Sequence, residues 1–279
     1  MRRVVFNQKG GVGKSSLASN LAAISASEGL KTLLIDLDAQ CNSTHYLMGK
    51  AGIDCEHTIW DFFSQTLTFK LRAARPESYV HDTLYENLKV IPASPRLGDL
   101  QSQLESKHKI FKFRELIRGL DQFDAIYIDT PPAFNFYTLS ALIAVPNCLV
   151  PFDCDEFSRQ ALYSLLENIE EIRSDHNESL KVEGIIINQF QPRASFPKRV
   201  VDELRAEGLP LLQSMISSSV KMRESHDENK PLIYMAPKHK LTQELVDLFF
   251  ELHPQLAAVR PRVNAQTQAQ KELAEADAD

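Results

Sequence analysis

The sequence predicts an α/β fold, a doubly wound and mostly parallel sheet with helices on both faces. Two observations carry the expectation. Short runs rich in Val, Ile and Leu alternate with stretches of helical period along most of the 279 residues. The runs are nearly continuous in apolar character, as parallel strands buried on both faces require.

The elements follow in order. Residues 3–7 form a first strand, broken by Gly10, Gly11 and Gly13. Residues 14–28 carry Leu17, Leu21, Ala22 and Ile24 near helical spacing, and Gly29 stands where a C-cap is wanted. Residues 31–37 read as the next strand, which completes a right-handed βαβ unit. Further strands are expected at 88–92, 125–129, 148–151 and 182–188. Helices are expected at 97–120, 136–145, 157–174, 197–207 and 241–252. Residues 53–86 read as short helices and loops. One domain is expected over 1–257, followed by a disordered acidic tail over 258–279, where Ala, Gln, Glu and Asp dominate.

Composition narrows the class. No apolar run reaches the ~18 residues of a membrane span. The first residues, Met1 to Phe6, are too short in apolar character for a signal peptide. Cys41, Cys55, Cys148 and Cys154 form no CxxC pair, so neither a zinc site nor a disulfide framework is expected, and reduced cytoplasmic thiols are. The net charge of −6 excludes a chain that is basic throughout and leaves room for a local basic patch.

The chemistry concentrates at the first strand–helix turn. Three glycines there let backbone N–H groups, that of Val12 included, turn inward around phosphate oxygens. The helix N-terminus adds partial positive charge. Lys14 is placed to reach the β- and γ-phosphates, Ser15 to bind Mg²⁺ through its hydroxyl and Ser16 to contact the α-phosphate. Gln8 stands where the common loop has a glycine, so the motif is the deviant form KGGxGK[ST]. ATP and Mg²⁺ are the expected cofactors. Asp129 ends an apolar strand and is expected to hold a water on Mg²⁺. Asp36 and Asp38 both lie at the carboxyl end of the second strand, Asp36 the closer to it.

The run from Lys9 to Ser15, followed by Asp36-Leu37-Asp38-Ala39-Gln40, resembles the ParA/MinD group of deviant Walker ATPases. The likeness continues at Ile126 to Pro132, Pro151, Asn188-Gln189-Phe190, Glu224 and Lys230-Pro231, and is nearest to the small ParA branch without an N-terminal helix-turn-helix. It implies a weak, partner-stimulated ATP hydrolase that closes as a homodimer over two nucleotides. It assigns Lys9 to the partner subunit's phosphates, Asp38 to the water and Asn188 to the adenine edge, where an amide both donates and accepts. The chain departs from the group at Ala39, usually proline, and at Cys41, usually glycine.

The resemblance also implies non-specific DNA binding through Lys and Arg on phosphates. Residues 193–240 hold nine Lys and Arg against six Asp and Glu. Arg193, Lys198, Arg199, Lys221 and Arg223 are the candidates. The expected partners are DNA and a ParB-like activator. No membrane is expected, because the tail is acidic where a membrane-binding relative carries a basic amphipathic helix. The expected role is partitioning or positioning of chromosome, plasmid or other cargo from a cytoplasmic, nucleoid-associated location. The alternative is a regulator that positions a protein cluster with little DNA binding.

Overall fold

A computed structural model describes residues 1–52, 55–68, 74–154 and 158–257. The expected tail and Phe157, the first residue of one expected helix, lie outside the described residues. Seven strands form one sheet in the order β3-β4-β2-β5-β1-β6-β7. They are β1 (Arg2–Val5), β2 (Thr32–Asp36), β3 (His81–Asp82), β4 (Leu88–Ile91), β5 (Ala125–Asp129), β6 (Asn147–Asp153) and β7 (Lys181–Asn188). All neighbours are parallel except the edge pair β3–β4.

The helices are α1 (Lys14–Ser27), α2 (Asn42–Met48), α3 (Ile59–Leu67), α4 (Leu97–Ser106), α5 (Lys112–Arg118), α6 (Phe136–Ala144), α7 (Ser158–Asp175), α8 (Ser195–Ala206), α9 (Val220–Asp227), α10 (Leu232–Met235), α11 (Lys240–Leu252) and α12 (Pro254–Ala257). Leu97, Phe113, Tyr137 and Leu165 pack on one face of the sheet, and Leu17, Leu232 and Leu245 on the other. Central strands thus lose water on both sides, which explains why Thr32–Asp36 and Ala125–Asp129 are buried at every position.

Three expectations are corrected. The single helix expected over 97–120 is two, because His108 adopts φ 51° and ends the first turn sequence. The strand β3, with its antiparallel pairing, falls in a stretch read as helices and loops. Helices α9 and α10 were not expected at all, since Val220–Asp227 buries only Ser225 and so shows no apolar stripe.

Strand order positions the site. β1 lies between β5 and β6, and the chain leaves it toward β2 on one side and later fills the other, so a crevice opens at the carboxyl ends of the central strands. Register brings the strand ends together: Val5 pairs with Asp129, and Asp129 with Asp36.

Candidate nucleotide site

The loop after β1 is tied from below. Asn7 donates from Nδ2 to the Pro151 carbonyl at 2.7 Å and accepts from the Lys9 amide at 2.9 Å. Asn188 Nδ2 donates to the Val12 carbonyl at 2.8 Å, and Gln189 Nε2 to the Gly11 carbonyl at 2.7 Å. Gly13 has φ 87°, and a Cβ there would stand 2.3 Å from Asn188 Nδ2. Only glycine fits that approach. Asn188, expected at the adenine edge, is therefore found beneath the loop with one amide N–H committed to a loop carbonyl.

Above the loop lies a cavity of about 490 Å³. Gly10, Gly11, Gly13, Lys14, Ser15 and Ser16 form its floor, and Asp38, Tyr46, His226 and Asn229 stand around it, with Tyr46 and His226 side by side. Lys14 is buried and its Nζ donates to the Lys9 carbonyl at 3.1 Å. Burial lowers its pKa, while Asp129 and Asp38 pull it back up. Lys14 thus lines the cavity in the field of two carboxylates.

The three aspartates differ in what engages them. Asp36 is fully buried and accepts from the Thr44 amide at 2.9 Å, the Thr44 hydroxyl at 2.8 Å and the Asp38 amide at 3.0 Å. That set anchors α2, so Asp36 is a structural group. Asp38 lines the cavity, with one oxygen accepting from the Gln40 amide at 3.0 Å. Asp129 is fully buried; its Oδ2 accepts from the Ser43 hydroxyl at 2.8 Å, and its Oδ1 has no hydrogen-bond partner among the described residues. Burial raises the pKa of Asp129, against the pull of the Ser15 and Ser43 hydroxyls. An unsatisfied buried carboxylate oxygen is costly unless a donor or cation meets it.

Lys9 differs from Lys14. Its Nζ lies 3.9 Å from Asp153 Oδ2 and the side chain is about one-third exposed. It does not line the cavity. The DNA candidates lie on separate elements. Arg193 precedes α8, Lys198 and Arg199 are exposed on it, and Lys221 and Arg223 are on α9. Lys221 pairs with Glu224 at 2.6 Å, and Arg199 lies 3.9 Å from Glu203.

Residues 3–182 match a family described as an AAA domain. The chain is 32% identical over 92% of its length to the chromosome partitioning protein ParA of Myxococcus xanthus, and covers 89% of that protein. The chain belongs to the ParA family of partitioning ATPases. It is an ATPase of that family. It is also 28% identical to the sporulation initiation inhibitor Soj of Bacillus subtilis, over 89% of this chain and 96% of that one. In fold it resembles an ATP complex of McdA from Cyanothece, with a TM-score of 0.78 at 18% identity over 91% of this chain and 96% of the other. Among the described residues no helix is long and apolar enough to cross a membrane.

Sequence reasoning found the floor of the cavity and missed its wall. Tyr46, His226 and Asn229 belong to no local motif, and His226 reaches the cavity from 210 residues beyond Ser16. Ser43, which holds Asp129, was equally silent. Cys41, by contrast, was flagged as a departure from glycine, and it has φ 56° at the N-cap of α2. The family's glycine suits that conformation; a cysteine there is strained by roughly 1–2 kcal/mol.

Proposed function

We propose that this ATPase is a dimerising switch that binds non-specific DNA in its ATP state and positions chromosome, plasmid or other cargo, with hydrolysis stimulated by a ParB-like partner. The carrying observation is the division of labour between two lysines in one loop. Lys14 lines the cavity, whereas the Lys9 Nζ lies 3.9 Å from Asp153 and its side chain is partly exposed. A loop lysine that stands outside the lining of its own cavity would reach a second subunit's phosphates across a dimer, where it would act as an arginine finger does. Hydrolysis then waits for dimerisation, which makes the ATPase a timer.

In this reading residues 1–257 are one ATPase domain, with an acidic tail over 258–279. Lys14 neutralises the β- and γ-phosphates, the Gly10–Gly13 backbone cradles them, and Asp38 accepts a hydrogen bond from the attacking water. The donor set fits Mg²⁺. Asp129 offers an unpartnered oxygen and Ser15 a hydroxyl, and the described residues hold no cluster of three or more His, Cys, Asp or Glu, so a cation here would share phosphate oxygens and waters. When bound, Mg²⁺ supplies charge neutralisation at the phosphates. Asn188 fixes the loop with one N–H, and its second N–H and Oδ1 are what an adenine edge would use.

A second reading has an observation of its own. Glu224 and Glu203 lie against Lys221 and Arg199, which lowers the positive field of the DNA candidates. A regulator that positions a protein cluster with little DNA binding has that character. Co-sedimentation with non-specific DNA, with and without ATP, separates the two. ATP-dependent binding at low salt that fades as salt rises supports the DNA-bound switch. No ATP-dependent binding at low salt contradicts it.

A further inference from the structure

We propose that His226 is a nucleotide contact, a donor to the α-phosphate supplied by α9 at the edge of the cavity beside Ser16. The inference rests on the cavity being the ATP site. Ser16 lies in the first turn of α1, beside the end where backbone N–H groups and the helix dipole favour an anion. His226 Nε2 and Ser16 Oγ share a hydrogen bond of 3.0 Å. A phosphate oxygen arriving at Ser16 therefore finds the imidazole within one hydrogen bond of the same point.

The ring is held rather than loose. It packs edge-on against Tyr46, centroids 4.7 Å apart at 81°. The next residue back, Ser225, is fully buried, shares a hydrogen bond with the Tyr46 hydroxyl and donates to the Lys230 carbonyl at 2.8 Å. Asn20 of α1 holds the following α10, accepting from the Leu232 amide at 2.9 Å while it donates to the Ser16 carbonyl of its own helix at 2.8 Å. The imidazole thus stands on the cavity rim with its apolar face packed and Nε2 turned to Ser16. On nucleotide binding it exchanges the serine hydroxyl for a phosphate oxygen.

The α-phosphate is common to ATP and ADP, so this contact supports binding of both and does not tell them apart. Calorimetric titration of the full chain with Mg²⁺–ATP and Mg²⁺–ADP tests it. His226→Leu is expected to weaken both by the same factor, about tenfold, the size of one hydrogen bond to a charged group. His226→Gln, whose amide N–H can replace Nε2–H, is expected to stay within about threefold of the parent. The proposal is overturned if His226→Leu binds both as the parent does, if only ATP binding weakens, or if His226→Gln loses as much as His226→Leu. Lys14→Ala in the same series keeps two failures apart. If it still binds ATP as the parent does, the cavity is not the ATP site. If it loses ATP while His226→Leu does not, only the role of His226 falls.

Discussion

The floor and the wall of the cavity are built in different ways. The floor comes from one loop and three neighbouring strand ends, and each residue's position is fixed by sequence neighbours and sheet register. The wall is α9 and the α10 turn that follows it, held by contacts that span much of the chain: Tyr46 to Ser225 on α9, and, on α10, Asn20 to Leu232 and Tyr85 stacked on Tyr234 with centroids 4.4 Å apart. α2 joins the two, since Ser43 reaches Asp129 and Tyr46 reaches Ser225. A floor made locally reads out of a motif; a wall made by tertiary contacts does not. Because α9 also carries Lys221 and Arg223, nucleotide and DNA would meet on one helix.

The largest effect should come from breaking the floor alone. Lys14→Ala is expected to lower ATP affinity by at least a hundredfold in equilibrium binding, because it removes the lysine that lines the cavity. The far-UV circular dichroism should be unchanged, since the Lys14 ammonium donates to a loop carbonyl rather than into the core.

Loosening the wall should do less. Asn20→Ala leaves the Leu232 amide without its buried acceptor and frees the Ser16 carbonyl. Stability is expected to fall by about 1–3 kcal/mol in urea unfolding. Amide exchange should quicken across 220–235 while β1, β2 and β5 keep their protection. Equal loss of protection in those strands would mean that floor and wall are one cooperative unit.

The fold was legible because buried parallel strands write themselves as apolar runs, and those around Leu33, Ile126 and Ile186 are buried on both faces. The two short helices α4 and α5 merged into one because residues 97–120 contain no Pro and no breaker between them, and the first ends just before His108, at φ 51°. Of the site, the glycines, Lys14, Ser15 and Asp129 were legible from spacing. Of the two aspartates after the second strand, Asp36 is consumed by Thr44 and the Asp38 amide, and Asp38 lines the cavity. His226 and Asn229 were not legible, because α9 buries a single residue and nothing in a polar helix announces what it covers.

The smallest effect belongs to the bridge between the two regions. Cys41→Gly removes a Cβ from a left-handed backbone at the start of α2. It is expected to stabilise the chain by roughly 1 kcal/mol, offset in part by the greater freedom of glycine in the unfolded state, as a rise in the urea midpoint at constant m-value.

The central claim is that Lys9 serves the other subunit, and subunit mixing tests it most directly. Lys9→Ala keeps its own Asp38 and lacks the lysine it would lend; Asp38→Ala keeps Lys9 and lacks its own water-positioning group. Each variant alone should hydrolyse ATP at a small fraction of the parent rate. Mixed in equal amounts with saturating ATP, they should regain substantial activity, because a mixed dimer then contains one site with its own Asp38 and a lysine from across the interface. A mixture no more active than the sum of its parts, while still forming mixed dimers, would place Lys9 in its own site and contradict the account.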